Sequence, residues 1–245
     1  MAEKIKALYG VTPVEAALLA GKRKLIRLWM KTDGKNPRFK AILKLAKEAH
    51  IQVSEATSEQ LFKLTDSKMH QGLALECGPL EPVPWEDFLQ TKPRLLVALD
   101  QIEDPQNLGA ICRTAAFLGA GGLLIPKDHS APFSAAASKA SAGAMEWFPM
   151  ALVGNLAEAL DRLKSAGYWV YGAQLDETSQ PLAQALLAPN MVLVLGNEGS
   201  GLRKLTTKRC DHLITIPGHG QMESLNVSAS AAILIHHFMS MPDEC

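Results

Sequence analysis

Residues 191–203 read MVLVLGNEGSGLR, a run of five apolar residues that ends in a glycine-rich loop. A short apolar run of this kind indicates a strand that is buried on both faces. Apolar strands of the same character are predicted at 95–99 and 122–125, and segments with helical patterns separate them. Strands that alternate with helices predict an α/β fold with helices on both faces of a parallel sheet. Ligands of such sheets bind at the carboxyl ends of the strands, so this loop is a candidate binding element.

A proline-rich segment separates this part of the chain from a smaller one before it. Four prolines interrupt residues 78–94, and segments of this composition act as semi-extended spacers. We therefore predict a small N-terminal α/β domain over residues 1–78, a linker over 79–93 and a second domain over 94–245. The patterns within the second domain also predict helices at 134–145, 181–187 and 202–210.

The charged residues are unevenly distributed, although the formal net charge is +0. Residues 1–78 contain 14 Lys and Arg against 8 Asp and Glu, a net charge of +6, and the rest of the chain carries the opposite excess. The segment from Lys22 to Lys40 has eight basic residues and one acid, Asp33. Such a segment can bind the phosphates of a nucleic acid, and it also fits an ordinary solvated surface. If it binds RNA, we expect weaker binding after charge reversal at Lys22, Arg23, Lys24 and Arg27.

No segment of the sequence is typical of a secreted, membrane-spanning or metal-binding protein. The first residues, MAEKIKALYG, lack the apolar region of a signal peptide. No stretch approaches the roughly 20 apolar residues that cross a bilayer. The four cysteines are scattered, and no cluster of His, Cys and Asp suggests a metal. We expect a cytoplasmic protein that binds neither a membrane nor a metal, with reduced cysteines that serve in packing.

Two of the loops at predicted strand ends carry polar residues that suit ligand binding. In residues 99–120, an Asp-Pro turn opens a helix that carries Asn107 and Arg113 among small apolar residues. A guanidinium in such surroundings needs an anionic partner, which is either Glu198 or a phosphate or substrate oxygen. The loop at 196–201 lacks the Gly-Lys-Ser/Thr element of a P-loop. Its glycine spacing also excludes the G-x-G-x-x-G fingerprint of dinucleotide-binding proteins.

A third loop, in IPGHGQMESLNVSASAAILIHH at 216–237, joins a predicted strand to an apolar helix. Ser224 and Asn226 lie where that helix begins, and such residues satisfy the free backbone N–H groups of a helix start. Three loops with polar residues at strand ends can together form one composite site.

The segments DPQNLGAICRTAAFLG, LVLGNEGSGL and IPGHGQMESLNVSASAAI resemble the three signature motifs of the SpoU (TrmH-type) RNA ribose methyltransferases of the SPOUT superfamily. They occur in the family's order and spacing, and the resemblance covers roughly residues 94–240. LYGVTPVEAALLAG and KMHQGLALE resemble the small ribosomal-protein-like RNA-binding domain of bacterial 23S rRNA guanosine-2′-O-methyltransferases. Nearly the whole chain is therefore covered.

The resemblance implies a fold, a cofactor and an oligomeric state. The second domain would contain a deep C-terminal trefoil knot, which is a rare exception to the usual rules of chain connection. S-adenosyl-methionine would be bound in that knot, with Gly196, Ile216 and Leu225 in its pocket. The enzymes of this family are homodimers with the active site near the interface, so we expect a homodimer here.

The resemblance also implies roles for five polar residues in 2′-O-methylation of RNA. Arg113 matches the arginine that is proposed as the base, although a guanidinium that positions the 2′-OH and a phosphate suits its high pKa better. Asn107, Glu198 and Asn226 match the other polar positions of the motifs, and Glu198 would orient Arg113 or its own loop. Asn226 and Ser224 would hold the reacting ribose or a phosphate, in addition to capping the helix.

The resemblance implies a guanosine of 23S rRNA as the substrate. Two alternatives remain open at the level of the sequence. One is a tRNA ribose methyltransferase, although such enzymes often carry short terminal extensions in place of an N-terminal domain. The other is a non-catalytic RNA-binding factor for ribosome assembly that kept the fold, although the presence of Arg113, Glu198 and Asn226 argues against it.

Overall fold

The computed structural model describes residues 7–31 and 36–240 of the chain. The backbone contacts divide the chain into two compact units, of which the first comprises Met1–Glu81 with Pro132–Phe148 and the second comprises Pro82–Ala131 with Pro149–Cys245. The predicted domain boundaries remain a prediction. The segment Pro132–Phe148 groups with the first unit, although its position in the sequence lies within the second predicted domain.

The first unit contains a four-stranded sheet and four helices. The elements are β1 (Leu8–Tyr9), α1 (Val11–Ala20), β2 (Leu25–Lys31), α2 (Phe39–Glu48), β3 (Gln52–Ala56), α3 (Ser58–Thr65), β4 (Leu73–Cys77) and the later helix Ala135–Ala140. The strand order is β1-β4-β2-β3, with β2 and β3 parallel and the other pairs antiparallel. Leu28, Ile42 and Leu75 are fully buried in the core of this unit, against the apolar side of α1.

A buried ion pair ties the segment Pro132–Phe148 to the first unit. Arg23 Nε donates to Glu146 Oε2 at 2.6 Å, and both side chains are only 1% exposed. The Ser138 hydroxyl donates to the same carboxylate at 2.7 Å, and Arg23 Nη1 donates to the Gly78 carbonyl at 3.1 Å. The expectation that Arg23 belongs to a solvated basic surface is therefore wrong, because its guanidinium neutralises a carboxylate in the core.

The second unit is built on a seven-stranded sheet. The helix Ala135–Ala140 of the first unit is numbered α6, since the labels follow the chain. The elements of the second unit are α4 (Asp87–Thr91), β5 (Leu95–Asp100), α5 (Pro105–Leu118), β6 (Gly122–Pro126), β7 (Met150–Val153), α7 (Leu156–Ser165), β8 (Trp169–Ala173), β9 (Gln180–Pro181), β10 (Met191–Gly196), α8 (Lys204–Thr207), β11 (His212–Thr215) and α9 (Val227–Ser240). The strand order is β7-β6-β5-β10-β8-β11-β9, and every neighbouring pair is parallel. The predicted α/β fold with a parallel sheet is confirmed.

The apolar run from Met191 to Leu195 forms the centre of this sheet. Strand β10 lies between β5 and β8, and its register places Gly196 beside Asp100 at the carboxyl ends of the two strands. The five residues from Met191 to Leu195 are all buried. Helix α7 packs on one face of the sheet, and α9 packs against α5. The trefoil knot that the resemblance implies stays a prediction, because strand order and register do not define how the chain threads.

Helix ends follow the expected local chemistry where the site is built. The Asp104 side chain accepts a hydrogen bond from the backbone N–H of Gln106 at 2.9 Å, and Pro105 occupies the first turn of α5. Gly119, with φ of 84°, ends that helix in the left-handed conformation that suits glycine. The Asn155 side chain caps α7 through the N–H of Glu158. Because these caps fix where α5 and α7 begin, they also fix the loops that precede them.

Several predicted elements differ from the structure. The helix predicted at 181–187 is wrong, because only Leu182–Gln184 form a 3-10 turn there. Ala185 is extended, with φ of −68° and ψ of 120°, and the Tyr171 hydroxyl donates to the Leu186 carbonyl and accepts from the N–H of Ala188, so tertiary contacts set the course of this segment. The helix predicted at 134–145 is interrupted after Ala135–Ala140 by left-handed backbone, and the one predicted at 202–210 is reduced to Lys204–Thr207. The predicted linker contains the short helix α4.

No helix among residues 7–31 and 36–240 is long and apolar enough to cross a membrane.

Candidate active site

The Glu198 carboxylate joins the three loops that the sequence singled out. Its Oε1 atom accepts hydrogen bonds from Asn107 Nδ2 at 2.9 Å and from the backbone N–H of Val227 at 3.3 Å. The side-chain amide of Asn226 donates to the same oxygen. Asn107 lies in the first turns of α5, Glu198 in the loop after β10 and Asn226 immediately before α9. Side chains from the three loops therefore meet around one carboxylate, and their role as a composite site remains a prediction.

The two asparagines of this cluster also contact each other and the start of α9. Asn226 Nδ2 donates to Asn107 Oδ1 at 3.2 Å. Asn226 Oδ1 accepts from the backbone N–H of Ser228 at 2.8 Å, which caps the helix as expected. Glu198 adds a negative charge at the same helix start, where it interacts favourably with the helix dipole. The cluster thus holds the ends of α5, β10 and α9 in one arrangement.

A tight turn positions Glu198. The backbone of Asn197 and that of Gly201 exchange two hydrogen bonds at 2.9 and 3.1 Å, and Asn197 Oδ1 accepts from the N–H of Gly199. Gly196 lies so close to the returning chain that a Cβ atom there would be 2.4 Å from the carbonyl carbon of Gly201. The requirement for glycine at this position is therefore steric, since any side chain would displace the turn.

A cavity of about 420 Å³ lies beside this cluster, at the carboxyl ends of β8, β10 and β11. Five of the eight predicted site residues line it, namely Gly196, Glu198, Ile216, Ser224 and Leu225. The three residues predicted to bind the cofactor thus line the same cavity. Its volume lies within the range of sites that enclose small-molecule ligands.

Sequence reasoning missed part of this cavity. Ala173, Gln174 and Leu175, at the end of β8, form one side of it, and Thr215 and Ser200 contribute further polar groups. The segment after β8 has no glycine-rich loop and no capping motif, so its only signal was its position at the end of a predicted parallel strand. That position alone could have identified it, since ligands bind at this edge of such sheets.

Arg113 lies apart from the Glu198 cluster. It is exposed on α5, one side of which faces α9, and it borders a groove with Phe117 and Ile233. Among the described residues, its guanidinium has no hydrogen bond and no ion pair. The predicted alternative of an ion pair with Glu198 is therefore not formed, because Glu198 is engaged by the two asparagines. A free guanidinium remains available to an anion from outside the unit.

Two of the cysteines, Cys77 and Cys210, have the environment of packing residues, whereas Cys245 lies outside the described residues. Burial raises the pKa of the Cys77 thiol to about 11 and that of the Cys210 thiol to about 12. A reactive cysteine requires the opposite shift, since the thiolate is the nucleophile. Neither thiol suits covalent catalysis near neutral pH.

Family models match almost the whole described chain. Residues 94–236 match the model of the SpoU rRNA Methylase family. The chain belongs to this family. Residues 7–83 match a second model, described as RNA 2′-O ribose methyltransferase substrate binding. Residues 84–93, which lie in the proline-rich segment, separate the two matched ranges.

Similar proteins from bacteria support this membership in the SpoU family. An uncharacterized tRNA/rRNA methyltransferase from Synechocystis is 40% identical over 96% of this chain, which spans 62% of that protein's length. The 23S rRNA (guanosine-2′-O-)-methyltransferase RlmB of Pseudomonas putida is 33% identical over 95% of both chains. The crystal structure of an AdoMet-bound rRNA methyltransferase from Sinorhizobium meliloti superposes with a TM-score of 0.80 at 25% identity, and covers 95% of this chain and 85% of that one.

Proposed function

We propose that this SpoU-family protein transfers a methyl group from S-adenosyl-methionine to the 2′-hydroxyl of a ribose in RNA, and that the nucleotide is a guanosine of 23S rRNA. The observation that carries the proposal is the Glu198 cluster, which joins Asn107 and Asn226 beside a cavity lined by Gly196, Ile216 and Leu225. The match to Pseudomonas putida RlmB over 95% of both chains favours rRNA guanosine over tRNA.

The cavity of about 420 Å³ fits the chemistry of the cofactor. Leu175, Leu195 and Leu225 provide apolar walls for an adenine ring, and the hydroxyls of Ser200 and Thr215 provide hydrogen-bonding groups at the cavity edge. The carboxylates of Glu198 and Glu223 also border it, and negative charge favours a sulfonium cation. When bound, S-adenosyl-methionine supplies a methyl group that is already activated for transfer by the positive sulfur.

The protein's contribution to the reaction is therefore geometric and electrostatic. Transfer would form an oxygen–methyl bond, break the methyl–sulfur bond and release the hydroxyl proton to solvent water, so the site must hold the ribose oxygen in line with the methyl group. The Glu198 cluster fixes three loops around the place where the oxygen has to lie. Ser224, which lines the cavity two residues before Asn226, places a hydroxyl where it can contact the ribose.

Arg113 binds the RNA phosphate next to the reacting ribose. A guanidinium carries five N–H donors and no acceptor, which suits a positioning role. Its planar donors match phosphate oxygens in a bidentate geometry. Because the described residues leave Arg113 without an internal partner, the phosphate is the anion that it lacks. This role is the positioning alternative that the sequence left open.

RNA binds to the first unit through its exposed basic residues. Lys22 and Lys24 are exposed, and the Arg27 guanidinium lies 5.2 Å from the centre of the Trp29 ring. Residues 7–83 match the substrate-binding family model, which agrees with this assignment. Because Arg23 is buried, charge reversal at Lys22, Lys24 and Arg27 should weaken RNA binding, whereas reversal at Arg23 should unfold the unit.

The active form is a homodimer in the cytoplasm, where ribosomal RNA is found. A groove between α5 and α9 supports the dimer, because Phe117 is 87% exposed and Ile233 is 42% exposed beside Leu118 and Ala232. Contiguous exposed apolar side chains of this kind mark protein–protein interfaces. Arg113 borders the same groove, so the dimer places it near the RNA bound across two protomers.

The test is a methylation assay with separate pools of unmodified rRNA and tRNA. Purified protein is incubated with S-adenosyl-methionine, and mass spectrometry maps any 2′-O-methyl nucleoside, with Arg113→Ala as the control variant. We expect one methylated guanosine in large-subunit rRNA that is absent with Arg113→Ala. Methylation of tRNA alone would overturn the rRNA assignment, and no methylation in either pool, with cofactor binding confirmed, would favour a non-catalytic assembly factor.

A further inference from the structure

A second cavity lies in the larger unit, at the same edge of the sheet as the candidate active site. Its volume is about 590 Å³, which is ample for one nucleotide. It is lined by the ends of β6 and β7, the beginning of α7, and Arg203, Leu205 and Thr206. None of the eight predicted site residues is among the residues that line it, so it is separate from the proposed cofactor cavity.

One wall of the second cavity is rigidly held. Arg203 Nε donates to Asp100 Oδ1 at 2.6 Å, and the backbone N–H of Arg203 donates to Asp100 Oδ2 at 2.9 Å. Asp100 is fully buried, whereas the Arg203 side chain is 41% exposed. Within the described part of the chain, neither terminal nitrogen of Arg203 has a hydrogen-bond partner. Arg203 therefore offers fixed and unused donors at the cavity.

The other walls combine flat apolar surface with polar groups of both kinds. Leu205, which is 53% exposed, and Pro126 are the apolar side chains at the ends of the lining segments. The Asp128 carboxylate is an acceptor, and the Asn155 amide and the His129 ring add further groups. Single-stranded RNA is recognised when unstacked bases lie against such surfaces and their edges form hydrogen bonds. The mixture suits a nucleobase better than a phosphate alone, because Asp128 would repel an isolated anion.

The second cavity is linked to the candidate active site by two short connections. Only Leu202 separates Arg203 from the turn of residues 197–201 that carries Glu198. Asp100 ends β5, and only residues 101–104 separate it from the helix that carries Asn107. An RNA whose ribose lies at the Glu198 cluster therefore has a neighbouring nucleotide within reach of this cavity.

We propose that the second cavity binds the base of a nucleotide that flanks the methylated ribose, with Leu205 against the face of the base and Arg203 and Asp128 at its edge. The inference rests on the proposed function and extends it, since it assigns sequence selectivity to a part of the protein outside the cofactor cavity. A flanking base held in its own cavity would fix the register of the RNA, so that one particular ribose reaches the Glu198 cluster.

The experiment pairs a change in the cavity with a change in the RNA. Methylation is measured at low RNA concentration for the wild-type protein, for Leu205→Ala and for Leu186→Ala, a control at a leucine that is 85% exposed elsewhere. Each protein is given the mapped rRNA fragment, either intact or with one abasic nucleotide beside the target. We expect Leu205→Ala to lower kcat/KM for intact RNA about tenfold, with an unchanged Kd for S-adenosyl-methionine and an unchanged Tm.

The decisive readout is whether the effects of the protein change and of the RNA change on kcat/KM are independent of each other. At one flanking position, the abasic change should lower kcat/KM of the wild type and of Leu186→Ala, but have little further effect on Leu205→Ala, since the two changes remove the same contact. Asp128→Ala should behave as Leu205→Ala does, and it keeps the test valid if Leu205→Ala lowers the Tm. Wild-type rates for both Leu205→Ala and Asp128→Ala would overturn the inference. So would losses of kcat/KM from the variant and from the abasic change that multiply at every flanking position.

A wild-type protein that methylates no RNA would count against the proposed function instead. The same proteins and RNAs would then be compared by fluorescence anisotropy, and the inference would stand or fall on the same pattern in binding affinity.

Discussion

Removal of Arg23 should unfold the first unit at a markedly lower temperature. The guanidinium is the partner of a carboxylate that is 1% exposed, so Arg23→Ala leaves the Glu146 charge buried with only the Ser138 hydroxyl as a donor. Breaking a buried ion pair by removing one partner costs about 3–5 kcal/mol. In a chain of 245 residues, each kcal/mol lowers Tm by about 2–4 °C, so the expected decrease is on the order of 10 °C.

Thermal unfolding followed by circular dichroism measures this directly, with Lys24→Ala as the matched control. Lys24 is the next residue along the chain and is exposed, so its loss should change Tm by about 1 °C or less. The double variant Arg23→Met with Glu146→Leu should recover most of the loss, because it removes both charges together. Equal Tm values for Arg23→Ala and Lys24→Ala would show that the Arg23–Glu146 ion pair does not stabilise the unit. A double variant less stable than Arg23→Ala would contradict the view that the unpaired charge causes the loss.

Three further predictions concern the second unit. Gly196→Ala should raise the Kd for S-adenosyl-methionine at least about tenfold, measured by calorimetry, because the added Cβ would be 2.4 Å from the Gly201 backbone and displace the turn; an unchanged Kd would contradict the placement of the cofactor. Phe117→Lys should convert a dimer to a monomer in light scattering, since it puts a charge into the apolar groove of α5 and α9, and a persistent dimer would mean that another face associates. Cys210 should react with iodoacetamide at pH 8 far more slowly than a free cysteine, because burial raises its pKa to about 12 and keeps it protonated below that pH; rapid labelling in the folded protein would show that the thiol is not buried as described.

The fold of the second unit could be predicted because its signals are local. The buried strands from Leu95 and from Met191 are continuous apolar runs, and Asp104-Pro105 and Asn155 mark helix starts by their capping chemistry. The helix predicted at 181–187 failed for a non-local reason, since the Tyr171 hydroxyl and the pairing of β9 with β11 occupy that segment's backbone. Local propensity does not contain such tertiary competition.

The difference between local signals and tertiary contacts also explains which residues of the candidate site could be predicted. Glu198, Asn107 and Asn226 could be singled out because each lies in a distinctive loop at a strand end, and the resemblance gave them roles that still await a direct test. Gln174 and Leu175 could not, because their segment has no motif. Arg23 was misread as a surface residue, since its partner Glu146 lies 123 residues away and a run of basic residues surrounds it in the sequence. Charge patterns alone do not reveal which member of a run is buried.

We propose that the Glu198 cluster forms the active site. Its most direct test compares the single-turnover rate of methyl transfer to rRNA for Glu198→Gln with that for Glu158→Gln, a matched change at an exposed glutamate of α7. Glu198→Gln weakens the hydrogen bonds from Asn107, Asn226 and Val227, so we expect a rate at least about tenfold below wild type at an unchanged Tm, and a wild-type rate for Glu158→Gln. A wild-type rate for Glu198→Gln would contradict the claim.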